Sequence, residues 1–443
     1  MRRILLTIVL LASACTEQQQ QQTAPPAPQA TTIADITLSG PVEITFWHSL
    51  TGANENALQA LIAKFNTSNP EKITVHPIYQ GSYAQAQQKT LAAVQAGTLP
   101  ELSTAYAAFV SDMQKTGLVV PLDPYVASRK NGLDRASQDD LFKSFLDGER
   151  YVQFGGQLLS FPFQRAIAAM YQNDALLREI NRTAPRTWSE FEDVARAATK
   201  RGPDGRAARS GWAVTLGAST FESWVVSRGG KLLSDDGRTV AWDGREGLDS
   251  LQLFQKLLGE QVAYVPKGFD YETDFAAGRV AFVHESSSFR PFLTAAMRTP
   301  VPWSLQSVPQ SDATRGRTIA YGPSVVVYRS TPEKQLAAWL FVRWFSDKEQ
   351  TAEWSAATAG LPLRKSASTT DALKRVWGTD TQGKQAFDLA SASVPEPNVR
   401  GSLDIRAVIE ELLVSVATRP IPDLDRALKD AGARANAILK DNP

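Results

Sequence analysis

Hydrophobic and polar positions follow two kinds of regular pattern along this chain. Val42, Ile44 and Phe46 alternate with polar neighbours, which predicts a strand, and apolar residues at helical spacing over 53–66 predict a helix. Strand and helix patterns then continue to alternate, which indicates an α/β fold built from βαβ units. Further elements are predicted as a strand at 73–78 and helices at 84–95, 188–200, 332–345 and 405–417.

Two of these helices carry additional signals. Thr187 precedes the helix at 188–200 and Glu190 follows three residues later, the spacing of a capping box. Trp339 and Trp344 belong to the apolar helix at 332–345 and are predicted to pack in the interior. We expect the helix at 405–417, which is rich in Val, Ile and Leu, to be the last one.

The N-terminus has the features of an export signal. Two arginines precede a short apolar run that ends at Leu11, and three small residues lead to Cys15. The run from Leu11 to Cys15 resembles a bacterial lipobox. We therefore expect residues 1–14 to be a lipoprotein signal peptide and Cys15 to carry lipid, which would anchor the protein to an extracytoplasmic membrane surface. The alternative is ordinary cleavage near Ala14, with Cys15 left free.

The segment that follows is polar and low in complexity. Residues 15–39 contain five consecutive glutamines at 18–22 and three prolines. A segment with so little apolar surface does not offset the entropy of ordering its backbone. We predict a disordered tether between Cys15 and the globular body.

Composition narrows the class of protein. The chain has 443 residues, 43% of them hydrophobic, which exceeds the size at which one core usually divides into two. Its formal net charge is +1, so bulk electrostatics gives no support for binding nucleic acid. Cys15 is the only cysteine, so no intramolecular disulfide can form.

Catalytic and metal-binding motifs are absent from the sequence. There are three histidines, and no HExxH, CxxC, GxSxG or phosphate-loop motif occurs. His284 stands beside serines, but adjacent residues on a strand point to opposite faces and do not form a catalytic pair. We expect no metal and no cofactor. A glycosidase that uses two of the 46 Asp and Glu residues remains an alternative, although nothing singles out a pair.

Several short segments stand in the order in which a known protein family carries them. They are 44–49 (ITFWHS), 80–83 (QGSY), 161–163 (FPF), 171–174 (YQND), 187–191 (TWSEF), 275–282 (FAAGRVAF), 353–354 (EW) with 361–362 (LP), and 405–412 (IRAVIEEL). Over about residues 42 to 440 the chain resembles the extracellular solute-binding proteins of bacterial ABC importers, family 1. This family includes binders of maltodextrins and of sn-glycerol 3-phosphate, and the latter are the most similar.

The resemblance implies a two-lobed periplasmic-binding-protein-like α/β fold. Ligand would lie in the cleft between the lobes, which close about hinge crossovers. We expect crossovers near Phe161, Gln310 and Phe345. The resemblance also implies ABC permease subunits as partners, a small-molecule solute as ligand and a monomeric state. The predicted lobes are 40–160 plus 311–347 for lobe I and 161–310 plus 348–443 for lobe II.

Four candidate ligand-binding residues follow from matching positions in that family: Tyr83, Ser286, Gly322 and Arg406. Arg406 could pair with an anion through its fork of donors, and Ser286 begins a predicted helix, whose free N–H groups favour anions. Gly322 permits close approach of backbone to ligand, and Tyr83 offers a ring face and a hydroxyl. The alternatives are a surface ion-pairing Arg, a helix-capping Ser, a turn Gly and a core Tyr.

Three positions depart from the family pattern. Ala107, Ala166 and Gly360 stand where the glycerol-phosphate binders carry a Glu, a Ser and a Tyr. Losing these polar groups enlarges the cleft and favours a bulkier ligand, an oligosaccharide or a glycerophosphodiester. The sequence thus predicts a binding protein for a carbohydrate or glycerol-phosphate-type solute. An exported carbohydrate-active enzyme and a structural envelope lipoprotein are the alternatives.

Overall fold

The computed structural model describes residues 33–442. The predicted signal peptide, Cys15 and the tether as far as residue 32 lie outside the described residues. Residues 33–39 were assigned to the tether, and for them that assignment is wrong. Ala34 lies in a short 3-10 turn, Ile33–Asp35, with 1% of its surface exposed, and its carbonyl accepts a hydrogen bond from Asn131 Nδ2 at 2.8 Å. This buried methyl and hydrogen bond fasten the start of the body.

Two sheets organise the described part of the chain, as the predicted α/β class requires. The first is five-stranded and mostly buried, and its strands at 42–48, 73–79 and 102–105 are parallel while 324–327 pairs antiparallel with 102–105. In spatial order its strands are Ile73–Tyr79, Val42–His48, Leu102–Ala105, Ser324–Val327 and Phe161–Pro162.

The second sheet is eight-stranded within residues 33–442. Its long central strand, Ala166–Asn173, is buried along its whole length and pairs antiparallel with three neighbours. The main order is Ala263–Tyr264, Ala207–Val214, Val280–Ser286, Ala166–Asn173, Thr318–Tyr321 and Ser393–Pro395, with Trp303–Gln306 paired to the central strand and Lys200–Arg201 paired to Ala207–Val214. A separate two-stranded ribbon consists of Arg150–Tyr151 and Gln157–Leu158.

The first two crossings of the chain between the sheets lie next to each other. It leaves the first sheet after Phe161–Pro162 and enters the second at Ala166, close to the crossover expected near Phe161. The second crossover was expected near Gln310, and that position is wrong. Thr318–Tyr321 still pairs with Ala166–Asn173, so the chain leaves the second sheet only at Gly322.

The third crossover was expected near Phe345, and the chain stays longer with the first sheet than this implies. Helix Lys348–Thr358 still contacts the helix Gly52–Ser68, where Lys64 Nζ lies 2.6 Å from Glu353 Oε1. The chain rejoins the second sheet at Ser393–Pro395, which pairs with Thr318–Tyr321.

Helices cover the outer faces of both sheets. Among residues 33–442 no helix combines the length and the apolar character that crossing a bilayer requires. The α-helices are Gly52–Ser68, Tyr83–Ala96, Ala107–Gln114, Asp123–Ala127, Arg135–Asp140, Lys143–Asp147, Asp174–Glu179, Trp188–Ala198, Ala218–Ser227, Arg245–Gly259, Asp270–Ala276, Arg290–Ala296, Pro332–Phe345, Lys348–Thr358, Asp371–Trp377, Thr381–Leu389, Ser402–Thr418 and Leu424–Asp441. The other 3-10 turns are Val152–Phe154, Ser287–Phe289, Lys365–Thr369 and Ala390–Ala392.

Local signals explain where several helices begin. Thr187 and Glu190 form the predicted capping box, with each side chain accepting a backbone N–H of the other residue. The predicted helix at 332–345 is Pro332–Phe345, and Trp339 is fully buried with Nε1 donating to the Asn131 carbonyl at 2.8 Å. The helix predicted at 405–417 is not the last, because Leu424–Asp441 follows and packs against it.

Candidate functional site

A cleft lies between the two sheets and contains three adjoining chambers. The first two have volumes of about 380 Å³ each and share the side chains of Tyr106, Arg165 and Tyr321 together with Gly322. The third chamber, about 360 Å³, adjoins the second and shares Asn54, Gln164 and Ser288 with it. These dimensions lie in the range of small-molecule sites.

Strand ends and helix starts from both sheets supply the walls. Ser49 follows the strand Val42–His48, and Tyr106 follows Leu102–Ala105. From the second sheet, Ser286 ends the strand Val280–Ser286 and Tyr321 ends Thr318–Tyr321. The cleft therefore lies where the carboxyl ends of strands from the two sheets face each other, which is where open α/β sheets usually bind ligands.

Tyr83, the first predicted site residue, lines the second chamber. Ser82 and Gln85 form a capping box that begins the helix Tyr83–Ala96 and so places Tyr83 in the helix's first turn. Its ring lies against Tyr106, with centroids 4.6 Å apart, and 39% of the Tyr106 surface is exposed. Burial, with Tyr106 adding a smaller effect, raises the pKa of Tyr83 above its ordinary value. The pair presents aromatic surface between the first and second chambers.

Arg406 lines the first chamber from the helix Ser402–Thr418, and carboxylates surround its guanidinium. Nη1 lies 2.9 Å from Glu396 Oε1 and 3.4 Å from Glu222 Oε2, and Nη2 donates to Ser219 Oγ at 2.9 Å. Burial acts to lower the pKa of Arg406, but Glu396 and Glu222 outweigh it and raise the pKa above its usual value. Arg406 is thus a permanent cation whose charge is already balanced within the protein.

Glu222 is the buried member of this cluster. Burial raises its pKa to about 8, Arg406 opposes the rise, and Glu396 and Glu410 add to it. A carboxyl group in such a site holds its proton near neutral pH. Glu396, by contrast, lines the chamber itself, so its carboxylate is the acidic group that a ligand in the first chamber would meet.

Arg165 holds the two crossovers together beneath the cleft. Its Nη1 donates to the carbonyls of Gln164, Gly322 and Pro323 at 3.0, 3.1 and 2.7 Å. Its Nη2 pairs with the buried carboxylate of Glu149. Burial lowers the pKa of Arg165 to about 9, so it remains charged at neutral pH. Its donors serve the protein backbone and Glu149, and do not project freely into the cleft.

Gly322, a predicted site residue, lines both of the first two chambers and has a structural reason to be glycine. Its φ is +142°, a conformation essentially restricted to glycine, and a Cβ there would lie 2.1 Å from the Gln164 carbonyl oxygen. The close approach that Gly322 permits is therefore between the two crossover strands. Its contact with a ligand stays a prediction.

Ser286 lines the second chamber at the end of its strand. Its Oγ accepts the backbone N–H of Ser288 at 3.3 Å and so caps the 3-10 turn Ser287–Phe289. Its carbonyl accepts the hydroxyl of Tyr171 at 2.6 Å. The predicted helix is thus a short turn followed by Arg290–Ala296, which offers a weaker anion site than a long helix would.

Arg290 lines the third chamber and is also paired. Its Nε and Nη2 bind Asp380 Oδ2 at 3.1 and 3.0 Å, a two-pronged arrangement. Each of the three arginines that line the chambers therefore has a carboxylate partner: Arg165 with Glu149, Arg290 with Asp380, and Arg406 with Glu396.

The three positions that depart from the family pattern all lie along this cleft. Ala107 lines the first chamber, Ala166 the second and Gly360 the third. None brings a polar side chain to its wall, so the space at each is left to the ligand or to neighbouring side chains. Next to Gly360 that neighbour is Gln164, whose Cγ would lie 3.1 Å from a Cβ at position 360.

His284 belongs to the interior of the second sheet. Trp224 Nε1 donates to its Nδ1 at 3.1 Å, and its Nε2 lies 3.2 Å from Ser223 Oγ. Burial lowers the pKa of His284 to about 3. A neutral ring with both nitrogens engaged in the core has no access to a substrate.

Sequence reasoning missed several residues that line the cleft. They are Ser49, Asn54, Tyr106, Gln164, Ser219 and Glu396. Gln164 follows the motif at 161–163 and precedes Arg165. This position in an expected crossover could have indicated a cleft residue, because a crossover that runs under a cleft must expose one side of its backbone.

Comparison with known proteins identifies the family. Residues 60–381 match a family model described as bacterial extracellular solute-binding protein. The chain is 22% identical over 424 residues to the sn-glycerol-3-phosphate-binding periplasmic protein of Pectobacterium atrosepticum. This alignment covers 90% of this chain and 91% of that protein. The protein with the same description from Escherichia coli is 24% identical over 428 residues, covering 90% and 92%.

Solved structures share the fold. The cyclic α-maltosyl-1,6-maltose binding protein of Arthrobacter globiformis superimposes with a TM-score of 0.78 at 20% identity, covering 91% of this chain and all (100%) of that one. UgpB of Mycobacterium tuberculosis, solved with glycerophosphocholine, gives 0.73 at 21% identity, covering 91% and 99%. The predicted two-lobed fold is confirmed.

The family model extends over far more than half of the chain, and the described residues form the two-lobed fold with a cleft between its sheets. The protein therefore belongs to the bacterial extracellular solute-binding proteins.

Proposed function

We propose that this protein captures a neutral oligosaccharide in the cleft and delivers it to an ABC permease. The observation that carries the proposal is the pairing of charges. Each arginine that lines the chambers already has a carboxylate partner, whereas polar groups available to a ligand in the second chamber are uncharged. The side-chain amides of Asn54 and Gln164 make no hydrogen bond among the described residues.

Uncharged amides and hydroxyls beside an aromatic ring suit a sugar. A sugar ring presents hydroxyls that donate and accept, together with an apolar face that stacks on Tyr106. Glu396 supports the sugar assignment because its carboxylate lines the first chamber and can accept hydrogen bonds from sugar hydroxyls. Among the solved structures, the Arthrobacter globiformis protein binds cyclic α-maltosyl-1,6-maltose and the Mycobacterium tuberculosis protein was solved with glycerophosphocholine. Similarity to these proteins therefore supports neither ligand class over the other.

The four residues carried over from the family are proposed to contribute differently. Tyr83 supports the Tyr106 ring, Ser286 offers its hydroxyl, and Gly322 exposes backbone at the centre of the cleft. Arg406 is proposed to orient Glu396 and not to bind an anion itself. The hinge would consist of the crossovers at 163–165 and 322–323, with the first and second sheets as the centres of lobes I and II.

The experiment is a thermal-shift screen against maltodextrins, disaccharides, glycerol 3-phosphate and glycerophosphocholine, followed by calorimetry. We expect a neutral sugar to bind, Glu396→Gln to weaken it about tenfold, and the surface variant Arg426→Ala to leave it unchanged. Binding confined to a phosphate compound, and lost in Arg406→Ala, would overturn the sugar assignment. Release of the chromophore from a chromogenic glycoside would support the enzyme alternative.

Anchoring by lipid is a separate proposal that rests on the sequence around Cys15. An acyl chain contributes about 0.8 kcal/mol per buried methylene, so lipid on Cys15 would hold the protein at the outer face of the membrane. Cys15→Ser should move the exported protein from the membrane fraction to the soluble fraction. Membrane retention of that variant would contradict the proposal.

A further inference from the structure

We infer that Gln164 is a specificity-determining residue that sets the length of ligand the cleft accepts; this inference rests on the proposed capture of an oligosaccharide. Gln164 lines both the second and the third chamber and stands at their junction. None of the four residues predicted to bind ligand lines both of these chambers.

The surroundings of Gln164 leave its side chain room. Ala166 and Gly360 flank it and bring no polar side chain, and a Cβ at position 360 would touch Gln164 Cγ and Nε2 at 3.1 and 3.4 Å. At this junction the Gln164 side chain borders both chambers, together with Asn54 and Ser288. A ligand that extends from one to the other must pass it.

The backbone of Gln164 is held on every side. Its N–H donates to the Pro323 carbonyl at 3.2 Å, and its carbonyl accepts from Arg165 Nη1 at 3.0 Å. The adjacent Arg165 carbonyl accepts the Leu361 N–H at 2.7 Å, which ties this crossover to the wall of the third chamber. The side chain thus projects from a rigid base, as an accurate ligand contact requires.

The Gln164 amide makes no hydrogen bond to another side chain or to the backbone among residues 33–442. An amide offers two donors and an acceptor, which suits neighbouring sugar hydroxyls. Because its base is fixed and its end is unpaired, it can bind a ligand without breaking an existing bond. It would contact only ligands long enough to reach the junction.

The third chamber offers further binding surface beyond Gln164. Phe292 is 64% exposed there, and Trp377 contributes a second ring. Aromatic faces of this kind stack on sugar rings. A sugar chain that passes Gln164 therefore reaches a second apolar platform, and affinity should rise with chain length.

The test is calorimetry on malto-, cello- and xylo-oligosaccharides from disaccharides to heptasaccharides. Wild-type affinity should increase with length in the series that binds. Gln164→Leu, which keeps the volume but removes the amide, should lose roughly tenfold for the longer members and leave the shorter ones unchanged. Gly360→Tyr, which fills the junction from the opposite wall, should lose the same long members.

The control is Gln88→Ala, on the exposed face of the helix Tyr83–Ala96 and away from all three chambers; its affinities should equal those of the wild type. If Gln164→Leu lowers the affinity equally at every oligosaccharide length, or at none, the inference about Gln164 is overturned while the proposed function stands. If no oligosaccharide binds the wild type, the proposed function fails and the role of Gln164 fails with it.

Discussion

Glu149 and Arg165 form a fully buried ion pair beneath the cleft, where the two crossover strands meet. The side chains are 0% and 6% exposed, and Ser324 Oγ also donates to Glu149 Oε1 at 2.8 Å. The pair neutralises a cation that simultaneously holds three backbone carbonyls of the hinge. The rigidity of the hinge therefore depends on residues from both crossovers.

Removing one partner of this pair should be costly. Arg165→Met leaves the Glu149 carboxylate buried without a counter-charge, and we expect a loss of about 3–5 kcal/mol in the free energy of unfolding, measured by denaturant titration. Arg150→Ala breaks an exposed pair with Asp123 and should cost no more than about 1 kcal/mol. The double variant Glu149→Gln with Arg165→Met should recover part of the loss. A loss in Arg165→Met as small as that in Arg150→Ala would contradict the assignment.

Gly322→Ala should be strongly destabilising, because the new Cβ meets the Gln164 carbonyl oxygen and the backbone conformation is one that alanine avoids. We expect about 3 kcal/mol or more, read from chemical unfolding. The matched control is Gly259→Ala, at a helix end with no atom within 4 Å of the added Cβ, which should change stability by less than about 1 kcal/mol. Equal stability of the two variants would show that the crossovers are not in close contact.

Glu222 should make the folded protein less stable as the pH rises. Its pKa is raised from 4.5 to about 8, so between these values the folded state retains a proton that the unfolded state has released. The stability that this proton provides is fully present below about pH 4.5 and is lost as the pH rises through about 8. Glu222→Gln should therefore raise the melting temperature at pH ~8.5, by roughly 2 °C or more, and have little effect at pH ~4.5.

The control for Glu222 is Glu411→Gln, whose carboxylate is 62% exposed and pairs with Arg434 at the surface. This variant should show no gain that grows with pH. If Glu222→Gln gives the same shift at both pH values, the carboxyl group does not exchange its proton in the way described.

His284 should remain neutral in mildly acidic solution. Its pKa is lowered to about 3, and Trp224 donates to Nδ1, so the proton belongs on Nε2. Nitrogen-15 spectra of the ring at pH ~5 should show this neutral tautomer, and they are simple because the chain has three histidines. In urea the ring should regain its ordinary titration near pH 6.5. A charged His284 in the folded protein at pH 5 would contradict the structure.

The sequence predicted the regular elements best where burial is periodic. Pro332–Phe345 matches its predicted bounds because Pro332 begins the helix and a run of buried apolar residues continues to Phe345. Leu424–Asp441 was missed because its buried face includes alanines and a glycine, Ala431, Gly432 and Ala435, which contribute little apolar signal.

The cleft residues were harder to predict for a different reason. Tyr83, Ser286, Gly322 and Arg406 were placed by resemblance, and the structure brings all four to the cleft walls. Gln164 and Glu396 were missed because a single polar residue in a non-periodic segment looks like any surface residue. The partners of Arg406 could not be foreseen either, since Glu222 is 184 residues away in sequence.

The pairing of every cleft arginine with a carboxylate has a kinetic consequence. Long-range attraction accelerates association only when a binding site has an unbalanced charge, and that acceleration decreases as salt is added. With the charges of Arg165, Arg290 and Arg406 matched locally, even a charged solute would meet little long-range attraction toward the mouth of the cleft, and the proposed neutral sugar would meet none. Diffusion and orientation alone would then set the association rate, and the receptor would load equally fast in dilute and in saline surroundings.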